Sequence, residues 1–404
     1  MKKLFCLAVL MLFASFAFAE GFDDFKESMD SGFSDEKKSF DTYKKELERE
    51  FAEYRRIADE EYAAYKNEIL SQWKTAEMST PVKWVEYTDG LKKKKVVDFE
   101  NGIYRLEVIG KDYTQAEKEL DALMRDMLGV DKATAFQRDT PARKTDEKAR
   151  EKLKNIAVGT VGNESVIGSA VIGKENPAKK DIDLAAEKLK ENAEVKTEPS
   201  KTGETVFVMQ GKLPPETYRN KAEQLNPSVQ KYSREFKIQP SLIFSVIQTE
   251  SAFNPVAQSH IPAYGLMQIV PTSAGRDVAQ LLMGKSLILT PSYLFNTDNN
   301  IRAGTAYLHI LYYRYLKAVS HPESRFYCSV AAYNTGAGNV ASAFNGRGAG
   351  KNRYNVTAAA GIINGMAPSA VYDYLRSSLE YDEARRYIVK VMGTLPSYKY
   401  FDQP

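Results

Sequence analysis

Glu250 is the residue whose position most suggests chemistry. Leu242, Ile243, Val246 and Ile247 form an apolar stripe at i, i+1, i+4 and i+5, and its continuation falls on Glu250, four residues after Val246 and three after Ile247. A carboxylate on the buried face of a helix has its charged form disfavoured by desolvation. Its pKa rises and a proton stays available near neutral pH, as a general acid requires. The same spacing also fits a helix-terminal glutamate that reaches to solvent or caps a neighbour. Metal chemistry has few ligands to draw on, because His260, His309 and His321 fall at no H-E-x-x-H spacing and the chain holds two cysteines. No metal and no cofactor are expected, which leaves carboxylates, hydroxyls and amides.

The elements that would position this carboxylate lie in a C-terminal part, residues 214–404, that reads as almost wholly helical. Asn226-Pro227 predicts a helix start, with Val229, Tyr232 and Phe236 on one face, and the Glu250 helix is expected to begin at Ser241 after Pro240. Residues 79–213 read as a small α/β domain with charged linkers. Val97 and Phe99, then Asn101-Gly102, then Tyr104, Leu106 and Val108 alternating with Arg105 and Glu107, predict a hairpin. A helix over Ala116–Leu128 and a strand over Val206–Met209 follow, while Arg138–Lys154 and Lys174–Lys201 read as exposed helices or mobile linkers. Lys92–Lys95 suit either contact with an anionic polymer or a solvated strand edge protected by lysines. Upstream, residues 20–78 are expected to hold an amphipathic heptad helix. Phe40, Tyr43, Leu47, Phe51, Tyr54, Ala58, Tyr62, Tyr65 and Ile69 recur at three and four, as a helix that pairs with a protein partner or itself, that lies along the domains that follow, or that serves as a solvated spacer. The expected class is α+β: a mainly helical domain preceded by a small α/β domain and a long helix.

The chain of 404 residues has 56 Lys+Arg against 53 Asp+Glu, a balance of +3 that argues against a nucleic-acid partner. Lys2, Lys3, the apolar run Leu4–Phe18 and Ala17-Phe18-Ala19 read as a secretory signal over residues 1–19, hence a periplasmic destination. Removing it leaves Cys328 alone, expected as a buried small hydrophobe in Phe326–Val330. Cys6 precedes the apolar core, the wrong place for a lipidated cysteine, so a lipid anchor is not expected.

The segment Glu250-Ser251-Ala252-Phe253-Asn254-Pro255 leads through Ser259 to Tyr264-Gly265-Leu266-Met267-Gln268-Ile269. Asn299-Asn300-Ile301, Gly304–Leu308 and Ala331-Ala332-Tyr333-Asn334-Thr335-Gly336 come later. In order and spacing these resemble the E-S, G-L-M-Q and A-Y-N-x-G motifs of the soluble lytic transglycosylase family, whose catalytic domain is helical and goose-lysozyme-like. The likeness to one branch of that family runs roughly from Pro81 to the C-terminus. It takes in Lys83–Thr88, Arg234–Asn254, Lys285–Phe295, Ile362–Tyr372 and Glu383-Ala384-Arg385-Arg386-Tyr387. It departs at the start, where members typically carry a lipidated cysteine.

The resemblance implies a lyase that cuts the β-1,4 bond between N-acetylmuramic acid and N-acetylglucosamine in peptidoglycan glycan strands, with one glutamate serving as acid and then base. Glu250 would be catalytic and Tyr333 would support the transition state. Ser259, Met267, Gln268, Asn300, Asn334 and Tyr387 would line the saccharide site. By residue type alone, Asn300 and Asn334 equally suit helix caps or turns, Gln268 suits a satisfied core amide, and Tyr307 reads as core. Met267 and Phe253 are expected as walls of the pocket that desolvates Glu250. Absence of a second acid within the three motifs fits one glutamate. A lysozyme-type hydrolase on the same fold and a non-catalytic peptidoglycan-binding scaffold are the alternatives.

Overall fold

The computed structural model describes the backbone of residues 19–403 and the side chains of residues 45–403. The secretory-signal reading, with Cys6, falls almost wholly outside these described residues. The chain divides into two units, Met1–Ala52 and Glu53–Pro404. In the first, the described backbone is helical from Ala19, within a helix that ends at Gln72.

In the second unit the architecture is α+β. β1 (Lys83–Thr88), β2 (Lys93–Asp98), β3 (Ile103–Gly110), β5 (Glu194–Pro199) and β6 (Thr205–Lys212) form an antiparallel sheet in the order β1-β2-β3-β6-β5. β2 and β3 are the expected hairpin. Asp98 accepts from the backbone N and the Nδ2 of Asn101, each at 3.0 Å, and Gly102 supplies the left-handed residue at φ 62°. The helix Tyr113–Gly129 buries Leu120, Met124, Met127 and Leu128, and Tyr113 packs edge-on against Phe207 of β6. On the opposite face Ile109, Val206 and Val208 join Tyr87, Ile69 and Trp73, so the end of the long helix covers the sheet. Tyr54, Ile57 and Ile69 are thus buried inside this unit. For these residues the stripe lies along the domain that follows, one of the expected outcomes, and they are not free for self-association.

Because both faces are covered and β2 lies inside the sheet, the lysine run is not a solvated edge. Strand alternation sends Lys94 to one face and Lys95 to the other, where they are 5% and 0% exposed. Lys94 pairs with Glu107 at 2.8 Å and sits 4.4 Å over the Trp73 ring. Lys95 pairs with Glu86 at 2.5 Å and also with Asp126. A buried ammonium persists only with such partners.

The segment after Arg138, read as an exposed helix or a mobile linker, is a helix, Thr140–Lys152, but a packed one. Its Ala142, Thr145, Asp146 and Ala149 are buried, and Asp146 accepts from the backbone N of Ser292 at 2.9 Å. Charge on three of its sides hid an apolar fourth. Lys179–Glu191 is likewise helical, whereas β5 is exposed throughout. Two short parallel strands, β4 (Ile156–Ala157) and β7 (Ile288–Leu289), join the α/β part to the helices that follow.

The helix containing Pro227 runs Thr217–Phe236, so Asn226 is not its N-cap. The Glu250 helix runs Pro240–Ser251. Its start is held by Asp402, which accepts from the backbone N of Ser241 at 2.8 Å and its Oγ at 2.7 Å, a cap delivered from the chain's other end. Phe244 stacks on Phe401 with centroids 4.4 Å apart. Cys328 is fully buried and burial pushes its thiol up to about 12, as a small hydrophobe behaves.

Gly159, just beyond β4, lies so close to the chain at Ser292 and Tyr293 that a Cβ would sit 2.6 Å from the Tyr293 Cα. Gly159→Ala is expected to destabilise the junction by about 1–3 kcal/mol, read as a lower midpoint in denaturant unfolding.

Candidate active site

Glu250 stands one residue before the end of its helix. Ala252 and Phe253 follow at φ 49° and 63°, two successive left-handed residues without glycine that turn the chain sharply away. The Ser251 hydroxyl bonds the carbonyls of Ile247 at 3.0 Å and Leu266 at 2.8 Å, which ties the helix end to the loop carrying Gln268. Buried Asn254 donates to the Pro81 carbonyl at 3.1 Å and accepts from the backbone N of Val256 at 3.2 Å. In this stretch Glu250 is the side chain without a structural duty of this kind.

The Glu250 side chain keeps part of its surface while protein atoms crowd its carboxyl. That burial pushes its pKa up to about 8. The negative charge of Glu383 adds to the rise, and the Tyr387 hydroxyl opposes it by donating toward the carboxylate. Tyr387 Oη is buried without a hydrogen bond of full geometry, so its interaction with Glu250 is a loose one. Tyr333 is also buried close enough for the Glu250 charge to raise its pKa, and its Oη donates to the Met267 carbonyl at 2.8 Å. Tyr307 packs edge-on behind it at 5.4 Å.

The loop after Glu250 is held mainly by one amide. Asn300, fully buried, accepts from the backbone N of Met267 at 2.8 Å and donates to the carbonyls of Tyr264 and Leu294, each at 2.8 Å. Asn300 is therefore not a saccharide contact. Its amide is consumed by the backbone it clamps. Met267 is also corrected: it is fully buried, and its side chain lies where a Cβ on Gly304 would be. Gly265, at φ 78°, is pressed against Asn300 and the Leu294 carbonyl, so a side chain there would break the clamp. From outside, Tyr54 of the long helix donates to the Tyr264 hydroxyl at 3.3 Å, and Tyr62 packs on His260 at 4.6 Å.

Gln268, Asn334 and Ser259 are half-buried. Gln268 sits at φ 46° with Nε2 bound to the Gly265 carbonyl at 2.9 Å, and its buried Oε1 has no partner among the described residues. Asn334 donates to Glu383 at 3.3 Å. The Ser259 hydroxyl is taken up within its own turn, by the Ile261 carbonyl and the backbone N of Ala263. Phe253 is 1% exposed and edge-packed on Tyr398. Sequence reasoning overlooked Glu383, which sits on the helix Asp382–Thr394 together with Tyr387. Its position four residues before Tyr387, on the same helical face, was the available signal. Among the described residues no group of His, Cys, Asp and Glu is arranged to hold a metal ion.

Residues 227–356 match the family model described as "Transglycosylase SLT domain". Over 187 residues the chain is 43% identical to "Membrane-bound lytic murein transglycosylase C" of Serratia proteamaculans, covering 46% of this chain and 50% of that protein. The protein of the same name from Klebsiella pneumoniae is 45% identical over 171 residues, covering 42% and 45%. The chain thus spans about half the length of the curated relatives it matches. A solved structure, the 70 kDa soluble lytic transglycosylase of Escherichia coli, aligns at 17% identity with a TM-score of 0.35, covering 71% of this chain and 44% of that one. A likeness that slight carries no argument.

Two outcomes follow from the geometry. Asn300→Ala leaves two buried backbone groups unsatisfied, the Met267 N–H and the Leu294 carbonyl, at about 1–3 kcal/mol each, while the Tyr264 carbonyl keeps the Ile269 N–H, so it is expected to lower the melting temperature strongly, unlike loss of a ligand contact. For Glu250 the folded pKa of about 8 lies above the ordinary glutamate value of 4.5. Its contribution to stability is therefore full at low pH and is lost as pH rises through that interval. Relative to wild type, Glu250→Gln is expected to gain melting temperature progressively from pH 4.5 to pH 8 and to gain no more above it.

Proposed function

We propose that this protein is a peptidoglycan lytic transglycosylase in which Glu250 is both acid and base. The observation that carries the reading is a carboxyl held near pKa 8 at a helix end, beside Tyr333 and Tyr387, within the stretch matched by the transglycosylase model. At neutral pH such a group keeps its proton and delivers it to the oxygen linking N-acetylmuramic acid to N-acetylglucosamine. As a carboxylate it is then basic enough to take the proton of the muramyl 6-hydroxyl, whose oxygen closes onto C1. The glycan ends as a 1,6-anhydromuramyl group with no water consumed. An intramolecular nucleophile brings an entropic advantage worth up to about 7–11 kcal/mol.

Tyr387 shields the carboxyl and moderates its pKa. Tyr333 both carries the Met267 carbonyl and borders the acid. Gln268 and Asn334, both half-buried, would meet sugar hydroxyls and acetamides. Residues of the expected saccharide site that the structure buries, Asn300 and Met267, hold the loop that presents Gln268. The relatives bear names that include "membrane-bound", which speaks for the cell envelope and against treating the chain as unanchored. No helix of the described residues is long and apolar enough to cross a membrane.

A hydrolytic reading has one observation in its favour. Glu383 places a second carboxylate near the first, the arrangement that hydrolases use to activate water. Mass analysis of products from purified murein sacculi separates the two, because an anhydro muropeptide lacks one water. The expected products are anhydro. Glu250→Gln is expected to lower turnover by about 10²-fold or more, the usual worth of acid–base catalysis, and unimpaired lysis by that variant would place the acid elsewhere.

A further inference from the structure

Away from Glu250, a cavity of about 580 Å³ opens where the α/β part meets the helix Thr217–Phe236 and the start of the helix Thr297–Ile310. None of Glu250, Tyr333, Asn334 and Tyr387 lines it. Its size lies within the usual range for small-ligand sites, roughly 300–1,000 Å³. Two lysines line it and both are buried, Lys132 at 1% and Lys221 at 7% exposure.

The two are treated differently by their surroundings. Lys132 pairs with Glu164 at 3.2 Å and also donates to Thr297. Lys221 donates to the Val166 carbonyl at 2.8 Å and lies 5.1 Å from the Phe99 ring centre, and among the described residues no carboxylate is within ion-pair distance of it. Burial, and then the charge of Lys132, push Lys221 down to about 7. The contrast with Lys95, buried more deeply but held by two carboxylates, is direct. A carbonyl and a ring do not balance an ammonium taken out of water, which costs several kcal/mol.

We propose that this cavity is a second ligand site, which takes a short peptide by its free carboxylate, with Lys221 and Lys132 as the anchoring cations. The rest of the lining agrees with a peptide more than with a phosphate. Glu164, Glu175 and Asp298 also border the space, where they would repel a dianion and suit a peptide amino group, and Leu225, Phe253 and Leu266 supply apolar wall for a small side chain. The inference rests on the peptidoglycan reading for the origin of such a peptide, since that polymer carries peptides ending in D-amino acid carboxylates. The binding itself requires nothing of Glu250.

The probe is D-alanyl-D-alanine, titrated calorimetrically into the full protein beside its C-terminal amide and inorganic phosphate. Saturable binding is expected for the acid. Loss of the charged hydrogen bonds should weaken the amide, Lys221→Met and Lys132→Gln each by on the order of tenfold or more. Lys221→Met also replaces a buried ammonium by a thioether of similar size, so it should fold at least as stably as wild type. Glu250→Gln should bind the dipeptide as wild type does, which keeps a failure of this site distinct from a failure of the proposed catalysis. Equal binding of acid and amide, undiminished binding by Lys221→Met, or binding of phosphate without the dipeptide would each overturn the proposal.

Discussion

The site depends on the cost of holding a carboxyl where water cannot fully solvate it. Glu250 takes up its proton more tightly than a solvated glutamate because burial penalises its charge, and the neighbouring charge of Glu383 adds to that penalty. Such a position survives only if the helix that carries it cannot rotate or fray. The chain secures the helix at both ends, through Asp402 on Ser241 and through Ser251 on Leu266. A desolvated acid and a rigid support are therefore one requirement.

The loop opposite Glu250 obeys the same logic in backbone terms. Non-glycine residues at positive φ, Ala252, Phe253 and Gln268, each store strain of roughly 1–3 kcal/mol. Asn300 answers with three hydrogen bonds to buried backbone groups, and the long helix adds Tyr54 on Tyr264 from the far side. Remote parts of the sequence are thus committed to the shape of a short loop. The α/β part does more than stand beside the helices, since Pro81, Asp146 and the β4–β7 pairing all hold segments next to this loop or behind it.

Burial of charge recurs across the molecule with different resolutions. Lys94 and Lys95 enter a sheet covered on both faces and are matched by Glu107, Glu86 and Asp126. Lys221 enters a cavity and is matched by a carbonyl. Fully paired groups of the first kind are explained by the fold alone. The incompletely balanced ones, Glu250 and Lys221, are where the molecule has kept a charge or a proton available to something outside itself.

Much of the site could be read from the chain. The 3.6-residue period placed Glu250 on the buried face of its helix, the Asn-Gly turn placed the β2–β3 hairpin, and the resemblance named Tyr333 and Tyr387, which the fold brings near the Glu250 carboxyl. Local spacing suffices there because periodicity is a property of a few consecutive residues. Sequence could not separate Asn300, whose amide is consumed by backbone, from Gln268, whose Oε1 is left over. Nor could it show that Lys94 and Lys95 lie inside a doubly covered sheet, that Thr140–Lys152 is packed, or that Glu383 faces Glu250. Those outcomes depend on which segments, far apart in the chain, come to share a boundary, and burial and electrostatic partners exist only once that boundary has formed.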